Sequence, residues 1–594
     1  MPEKTMKFIE YYPLKSAYNP RVVPTKNTFT FISKLNGMPQ VWTVNQEKEP
    51  ELLTAVEGNI LSHFHSSTGE QTIVGVDYNG NEKQQIYFIN KEEQQMEPLV
   101  DAPEYFHYIG GWSKDGTKIT FSSNRRNLGY FDVYVFDIVT KEMTEIFQFD
   151  GNCIPLQWID QENILISLEE TNFDRSLYIL HLKTKSLTKI GKENIRRYAS
   201  IQITNDCKSG YVLTDSDADT LTLNWFSLDA PDKLVKLVHW EKWDIEEFAL
   251  SVHEELIALT VNENARSKLY LYDIASKELT EIPEVSNGVI SSISWLNQTE
   301  FIFALNTPKL PGDIWKYSVS SKQLERQTFL GESVERKDAW IEPEHYTFSS
   351  FDNIEIPYFT YEKGTLKNKP ALIYVHGGPE SQYKTEALPL IQSLASQGYL
   401  VAAPNIRGSK GYGRKFTELD DVEKRLDPVR DLACLAGHLV QTHQVDVKNI
   451  FIMGHSYGGL MTLSALTHFP DIWAGGVDFV GISDFTTFLT NTGAWRRRIR
   501  ESEYGTIANN ANFFKEFSPL NRSDKIKVPL LIFHGENDTR VPISESEQLV
   551  ASMKSRGQEV EYVTFDNEGH FIENLDNQTA MDLRIIEFLN RNIK

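Results

Sequence analysis

The sequence predicts two domains of different class: an all-β, seven-bladed β-propeller, followed by an α/β domain with a doubly wound, mostly parallel sheet. Three observations predict this arrangement. A β-type repeat of about 45 residues fills the first half of the chain. Apolar strand segments alternate with amphipathic helix segments in the second half. A chain of 594 residues is also longer than one hydrophobic core usually supports.

The repeat in residues 27–335 is marked by one aromatic residue per unit, centred in a strand segment that leads into a polar turn. Successive aromatic residues lie 45, 47, 44, 47, 45 and 45 positions apart. Periods of this length made of strands and turns are typical of propellers with four strands per blade, whereas solenoid β-repeats are shorter. The spacing therefore predicts seven blades, with the aromatic residues Trp42, Tyr87, Tyr134, Tyr178, Trp225, Tyr270 and Trp315.

Three features of the first half need a separate interpretation. Residues 1–26 precede the repeat and are predicted to form an N-terminal segment that packs on the α/β domain. The acidic pair Glu246-Glu247 and the aromatic stretch PEYFHYIGGW, residues 103–112, suggest functional sites at first sight. Both occupy blade positions, so a structural role is the favoured interpretation.

The pattern changes near residue 340 and predicts an α/β-type domain over residues 340–594. Nearly continuous apolar runs, from PALIYV at 370–375 to VEYVTFD at 560–566, are typical of strands buried on both faces of a parallel sheet. Segments with apolar residues at i, i+3 and i+4 lie between them and predict helices. Ligands of such sheets bind at the carboxyl ends of the strands, so we expect a functional site there.

The composition excludes several classes of partner. The 60 basic and 82 acidic residues give a net charge of −22, which argues against nucleic acid and anionic membranes. No run of apolar residues is long enough to span a membrane, and the N-terminus lacks the apolar core of a secretory signal. The three cysteines are widely spaced and form no CxxC pair, so neither disulfides nor a metal site are expected. We predict a cytoplasmic protein.

One dense basic run stands apart from this acidic background. It comprises Arg496-Arg497-Arg498-Ile499-Arg500, and Glu501 and Glu503 follow at once. Opposite charges at such short separations on a helix can pair. Local ion pairing is therefore the predicted role of the run.

The stretch Gly454-His455-Ser456-Tyr457-Gly458 joins the strand segment NIFIMG to a helix segment. Glycines on both sides allow a tight turn, and a turn could be all that the motif provides. A G-x-S-x-G between a buried strand and a helix also matches the nucleophile elbow of α/β-hydrolase domains, in which the serine stands above the sheet near the positive end of the helix. We therefore predict that Ser456 is a nucleophile.

A serine nucleophile needs a base, and the base needs an orienting acid. In α/β-hydrolase domains the chain order is serine, acid, histidine. Asp538 follows the strand segment PLLIFHG, and His570 follows the next strand in a glycine-containing loop. Order and position thus predict Asp538 as the acid and His570 as the base. The competitors lie where packing is expected or leave no histidine in the required order; they are His376, His455, His468, His534, Asp478 and Asp484.

Acyl transfer also needs donors for the oxyanion. The amide of Tyr457, directly after the nucleophile, is one candidate. The second is Gly378 in YVHGGPESQ, a loop that follows an earlier strand of the domain. A plain turn after that strand is the alternative interpretation of the two glycines.

Four motifs together resemble those of a known family: HGGPESQ, NIRGSKGYGRKF, GHSYGGLMTLSAL, and HGENDTRVPISESEQL with NEGH. They are similar to those of the prolyl oligopeptidase family of serine peptidases, and most similar to its acylaminoacyl-peptidase branch. The resemblance covers the whole chain, because that family joins an amino-terminal propeller to a carboxyl-terminal α/β-hydrolase domain. It implies hydrolysis of short peptides from the amino-terminal side, release of an N-acylated residue, and a propeller that excludes folded proteins.

The resemblance also implies roles for residues outside the triad. Arg540 in NDTRVP matches a substrate-contacting arginine, and Tyr412 in GSKGYG matches a tyrosine that assists the oxyanion in the oligopeptidase branch. The segment RRRIRESEYG resembles one that lines the acyl side of the pocket. Dipeptidyl-peptidase relatives carry a paired-glutamate clamp and a tyrosine at the position of His376. Because Glu246-Glu247 lacks the flanking residues of that clamp, none is expected here.

The sequence therefore predicts a serine peptidase that acts through an acyl-enzyme on short peptides, including N-acylated ones. An esterase or a general oligopeptidase of the same fold remains an alternative. A propeller that serves as an interaction scaffold, with a secondary hydrolase domain, is the alternative from another class. No metal or cofactor is implied, and a homo-oligomer is left open.

Overall fold

The computed structural model describes residues 11–12, 14–90, 95–192, 194–285, 287–333, 340–364 and 366–594. Seven blades of four antiparallel strands each occupy the chain from Ala17 to Arg326, and the third and fourth blades are joined into one sheet by a parallel pair between Phe131 and Asn152. One mixed sheet of eight strands begins at Glu344. A seven-bladed β-propeller followed by an α/β-hydrolase domain is therefore confirmed. Most of the segment predicted at 1–26 to pack on the second domain, residues 1–10 and 13, lies outside the described residues.

Among the described residues, each blade takes its four strands from one continuous stretch of chain. The strands, numbered in chain order, are β1–β4 (Ala17–Val23, Thr28–Ser33, Gln40–Val44, Pro50–Leu52), β5–β8 (Asn59–His65, Thr72–Asp77, Gln85–Asn90, Gln95–Val100), β9–β12 (His107–Trp112, Lys118–Asn127, Tyr130–Asp137, Met143–Phe147), β13–β16 (Asn152–Trp158, Asn163–Glu169, Arg175–His181, Leu187–Ile190), β17–β20 (Tyr198–Ile203, Ser209–Thr214, Thr222–Ser227, Ala230–Val238), β21–β24 (Ile245–Leu250, Leu256–Glu263, Arg266–Asp273, Leu279–Glu281) and β25–β28 (Val289–Trp295, Glu300–Thr307, Leu310–Ser318, Gln323–Arg326).

The aromatic residues that revealed the repeat all lie on the third strand of a blade. Apolar cores form between the faces of neighbouring blades. Ile73 and Ile86 of blade two, for example, pack with Ile119 and Phe121 of blade three. One repeat of the sequence therefore corresponds to one blade that cannot bury its faces alone.

The first blade begins at Ala17, whereas the sequence predicted the propeller from residue 27. Strand Ala17–Val23 contains Pro20, which has no N–H to donate, and Asn19, whose φ is 50°. The pairing register of the strand shifts at these residues. A proline inside a bulged strand hides the strand from pattern analysis. Ala17 nevertheless packs with Ile302 of blade seven and so helps to close the ring.

The described part of the N-terminal segment also reaches the second half of the chain. Tyr11 packs against Trp340 and Ala387. Tyr12 packs against an apolar core of the α/β-hydrolase domain.

The strands of the mixed sheet, numbered β29 to β36 in chain order, are Glu344–Ser349, Glu355–Tyr361, Lys369–Val375, Leu400–Pro404, Val445–His455, Gly475–Phe479, Leu530–Gly535 and Val560–Phe565. Their order in the sheet is β29-β30-β32-β31-β33-β34-β35-β36. The pairs β29–β30 and β30–β32 are antiparallel, and all other pairs are parallel. Every strand segment named in the second half of the sequence is found.

Helices cover both faces of this sheet, and each face buries its own apolar core. The described residues contain no helix with the length and apolar character needed to cross a bilayer. The helices are Pro389–Ser396, Arg414–Thr417, Leu426–His443, Tyr457–His468, Phe485–Asn491, Ala494–Tyr504, Ile507–Phe517, Ser544–Ser555 and Leu575–Arg591.

Candidate active site

Ser456 stands at the sharp turn between strand β33 and the helix Tyr457–His468. Its φ of 59° and ψ of −114° cost a residue with a side chain about 1–3 kcal/mol. A Cβ atom on Gly454 would lie 2.2 Å from the carbonyl oxygen of Gly458, and one on Gly458 would lie 2.2 Å from that of Val375. Both glycines are therefore required for the strand and the helix to pass this closely.

His570 and Asp538 are joined by a hydrogen bond of 2.7 Å from Nδ1 to Oδ2. The other oxygen of Asp538 accepts the amides of Arg540 and Val541 at 2.7 and 3.0 Å. Burial lowers the pKa of His570 well below its ordinary value, and the positive charge of Arg540 lowers it further. The imidazole is therefore neutral at pH 7, which is the form that can accept a proton at Nε2.

His455, the residue before Ser456, holds the backbone of the histidine loop. Its Nε2 lies 2.8 Å from the carbonyl oxygen of His570. Burial lowers the pKa of His455 to about 3, and the neighbouring His570 contributes to the shift. A neutral ring must donate from Nε2 to make this bond. His455 also stacks on Phe571, with 5.3 Å between ring centres, so it ties the serine turn to the histidine loop.

The competing histidines have partners in the scaffold, as their positions in strands and helices predicted. These partners are Ser546 Oγ and Val541 O for His534, Gly377 O and Ser409 Oγ for His376, and Phe517 O for His468. Asp484 accepts the amides of Thr486 and Thr487 and so caps the helix Phe485–Asn491.

Two amides are predicted to bind an oxyanion, those of Tyr457 and Gly378. Tyr457 is the first residue of its helix, so its N–H has no acceptor within the helix. The glycine loop lies beside the serine turn, because a Cβ atom on Gly377 would lie 3.7 Å from that of Ser456. Gly378 follows with a φ of 135°, which glycine adopts at little cost. The loop that carries Gly378 is therefore a neighbour of the serine turn.

Asp420, Asp421 and Glu503 are the group of described residues whose ligand atoms, all within 4.8 Å, could share a metal ion. The buried guanidinium of Arg425 already binds this group through ion pairs with Asp420 and Glu503. The hydroxyl of Tyr457 donates to Asp420 at 2.7 Å. The cluster is therefore a network of ion pairs and hydrogen bonds that adjoins the serine turn through Tyr457.

The two residues matched to substrate contacts lie in different places. Arg540 binds Glu82 of blade two, with Nε 2.8 Å from Oε2, and Thr539 Oγ1 donates to the same carboxylate at 3.1 Å. The hydroxyl of Tyr412 accepts from Asn405 at 2.9 Å. Arg540 therefore adjoins the loop of Asp538, whereas Tyr412 binds Asn405 after strand β32.

The acidic pair of blade six has structural partners, in agreement with the interpretation favoured from the sequence. Both oxygens of Glu246 lie 2.7 Å from Nζ of Lys384, across the domain boundary. Glu247 accepts the amides of Ser292 and Ile293 at 2.9 and 2.7 Å.

The basic run behaves differently from its prediction. Arg497 donates to the carbonyl oxygens of Leu489 and Thr490, and Arg498 donates to that of Asp150 at 3.4 Å. Within the described chain, no arginine of the run forms an ion pair with the two glutamates that follow it. The prediction of local pairing is wrong, because Arg425 takes up one of these glutamates from a distant part of the chain.

Comparisons with known proteins agree with this architecture. Residues 389–594 match the prolyl oligopeptidase family. The chain is 25% identical to the dipeptidyl aminopeptidase BIII of Pseudoxanthomonas mexicana over 589 residues, which are 95% of this chain and 85% of that protein. It is 27% identical to the acylamino-acid-releasing enzyme of Arabidopsis thaliana over 252 residues, which are 41% of this chain and 33% of that protein.

A solved structure, that of a puromycin-hydrolyzing peptidase of Mycobacterium tuberculosis, has the same fold with a TM-score of 0.88. It is 16% identical, and the match covers 99% of this chain and 95% of that chain. The structural likeness thus extends over both domains, while the family match falls on the half that contains the serine turn. Residues 389–594 are therefore similar to the prolyl oligopeptidase family.

Proposed function

We propose that the protein hydrolyses short peptides from the amino-terminal side and releases an N-acylated amino acid. In this proposal Ser456 is the nucleophile, His570 the general base and Asp538 the orienting acid. The observation that carries the proposal is the 2.7 Å bond between His570 and Asp538, in a loop that His455 fastens to the strained turn of Ser456.

The reaction follows from these groups. Nε2 of His570 takes the proton of Ser456 Oγ as the oxygen attacks the peptide carbonyl. The amides of Tyr457 and Gly378 stabilise the tetrahedral oxyanion. The C–N bond then breaks, and His570 returns the proton to the leaving amine. Water attacks the acyl-enzyme by the same route, so that the acyl product leaves and the serine hydroxyl is restored.

A preference for N-acylated peptides is supported by the acidic pair of the propeller. A clamp for a free amino terminus needs an unpaired carboxylate, but the carboxylate of Glu246 binds Lys384. Burial raises the pKa of Glu246, but the charge and hydrogen bonds of Lys384, together with the charge of Lys410, lower it below its ordinary value. The pair is therefore already neutralised from within the chain.

Release of dipeptides from free amino termini is a second candidate. It is supported by the similarity to a dipeptidyl aminopeptidase over 95% of the chain. A general oligopeptidase or an esterase would use the same groups, so substrate profiling must separate these functions.

The domain limits and the location belong to the same proposal. We place the domain boundary between residues 335 and 340, and this is supported by the end of strand β28 at Arg326 and the start of β29 at Glu344. A cytoplasmic location is supported by the three cysteines, which are free thiols.

The decisive experiment is a panel of N-acetyl, N-formyl and free-amino-terminal chromogenic peptides with the same leaving group. We expect the highest kcat/KM for the acylated members. Higher values for free amino termini would replace this proposal by the dipeptidyl candidate.

The assignment of the triad is tested with a fluorophosphonate probe. Wild-type protein should be labelled, and Ser456→Ala should not. His570→Ala should lose nearly all turnover while its thermal unfolding stays close to that of the wild type. Absence of labelling in folded wild-type protein would contradict the proposal and favour a scaffold function.

A further inference from the structure

Arg496, in the basic run, carries a buried guanidinium that has no hydrogen-bond or ion-pair partner among the described residues. It is 7% exposed and lies near the start of the helix Ala494–Tyr504. Within the part of the chain that the structure describes, its guanidinium makes no hydrogen bond or ion pair, and its Nε is shielded from solvent. A buried charge without a counter-charge is costly. Such a cost is usually tolerated where a ligand supplies the missing partner.

The segment just before this helix is attached to the loop that carries the triad acid. Thr492 Oγ1 donates to the carbonyl oxygen of Arg540 at 2.8 Å. The ring of Trp495, which lies 5.0 Å from the guanidinium carbon of Arg496, packs on Phe106 and Phe131 of the propeller. Arg496 thus lies where the triad loop and blade three approach each other.

The charges around Arg496 agree with this position. Burial and the charge of Arg540 lower the pKa of His570, and the positive charge of Arg496 lowers it further. Burial raises the pKa of Glu82, whereas Arg540 and, more weakly, Arg496 lower it. Burial, with the charges of Arg500 and Arg540, lowers the pKa of Arg496 itself to about 9. The guanidinium is therefore charged at neutral pH.

Nearby carboxylates do not balance this charge, because each has another partner. Glu82 binds Arg540 through both oxygens, and Glu503 binds Arg425. Glu380 accepts a hydrogen bond from a propeller asparagine, and burial, with the charge of Glu503, raises its pKa well above the usual range. No carboxylate of the described residues therefore contacts the guanidinium of Arg496.

We propose that Arg496 binds a carboxylate of the substrate, so that the enzyme acts best on short peptides with an acidic group near the scissile bond. This inference rests on the proposed peptidase function. A guanidinium presents parallel N–H donors that match the two oxygens of a carboxylate. Three groups have this chemistry: an acidic side chain, a dicarboxylic N-acyl group and the C-terminal carboxylate of a short peptide.

Three matched substrate pairs distinguish these sources: glutamate against glutamine before the scissile bond, N-succinyl against N-acetyl, and a free C-terminal acid against its amide. For at least one pair we expect the acidic member to have a kcat/KM about tenfold to a hundredfold higher, the range for a buried charged hydrogen bond. The pair that responds identifies the carboxylate.

Two variants of Arg496 and one control complete the experiment. Arg496→Met should reduce the ratio within the responding pair to about 1–3, and Arg496→Lys should retain part of it because the charge remains. Arg498→Met is the matched control, because Arg498 lies on the same helix, is exposed and contacts Asp150. The ratio of kcat/KM within the responding pair should be the same in this variant as in the wild type.

The outcomes separate this inference from the function on which it rests. Wild-type protein that hydrolyses the neutral members without any preference for the acidic ones overturns the inference alone. A preference that persists undiminished in Arg496→Met, when a separate sample of that variant still reacts with the fluorophosphonate probe, also overturns it. A wild type that neither hydrolyses any peptide nor reacts with the probe overturns the proposed function and this inference together.

Discussion

Glu82 of blade two is predicted to tune the proposed base from the other domain. Arg540 Nε lies 3.0 and 2.8 Å from the two oxygens of Glu82, and the glutamate side chain is 21% exposed. Burial has the largest effect on the pKa of His570 and lowers it, and the positive charge of Arg540 lowers it further. The negative charge of Glu82 raises it. Glu82→Gln removes the negative charge and leaves the positive one beside His570.

The sign and the size of the effect follow from electrostatics. At an effective dielectric constant of about 20, a unit charge that is not in contact with the base contributes on the order of 1–2 kcal/mol, or about 1 pKa unit. Because Glu82 is partly exposed, screening reduces this value, and we expect the pKa of His570 to fall by about 0.5–1 unit. A general base works in its neutral form, so the acid limb of kcat/KM should move to lower pH by the same amount.

The assay is the pH profile of kcat/KM for one chromogenic peptide, measured for wild type and variant at constant ionic strength. Glu246→Gln is the matched control, because it removes another carboxylate that pairs across the domain boundary, here with Lys384. The control profile should keep its acid limb. An unchanged limb in Glu82→Gln, a shift to higher pH, or equal shifts in both variants would refute the reasoning.

Substitutions at three further residues test the scaffold of the site. His455→Phe removes the donor to the carbonyl oxygen of His570, so kcat should fall about fivefold to thirtyfold. His455→Gln keeps an N–H donor and should recover most of the lost kcat. Equal losses of kcat in the two variants would contradict a positioning role. Arg425→Met leaves two buried carboxylates without their cation and should lower the free energy of unfolding in urea by about 3–5 kcal/mol, so that a loss under 1 kcal/mol would show the network to be unimportant. Burial raises the pKa of Asp582 to about 8, so the folded state keeps the carboxyl proton up to that pH. The unfolded chain releases the same proton near pH 4. The free energy of unfolding therefore falls as the pH rises from 4 to 8. Asp582→Asn should therefore raise the melting temperature at pH 8 but not at pH 4.5, and a gain at both values would exclude titration as the cause.

The sequence was sufficient for features that depend on local pattern. The aromatic residues predicted the blades because each one occupies the same strand of its blade. The serine turn could be predicted because strand, glycines and helix are contiguous, and Asp538 and His570 because each follows a strand of the same sheet. In all these cases the periodicity of buried residues fixes the position of the neighbouring polar residue.

Contacts between distant parts of the chain could not be predicted in this way. Glu82 and Arg540 are 458 residues apart, and nothing near either residue indicates the other. The same limit explains the wrong prediction for the basic run, since Arg425 lies 78 residues before the glutamate that it binds. Charge pairing inside a folded protein depends on which elements meet, and a local pattern carries no information about that.

The proposed base is held by both domains, which gives the propeller a part in forming the site. A Cβ atom on Gly569 would lie 1.9 Å from the carbonyl oxygen of Gly80 in blade two, so the histidine loop and the blade meet backbone to backbone. His570 is also fixed at its carbonyl by His455 and at Nδ1 by Asp538. Separation of the domains removes the first of these constraints and the charge of Glu82 with it. The order of the proposed base therefore depends on the contact between the histidine loop and blade two.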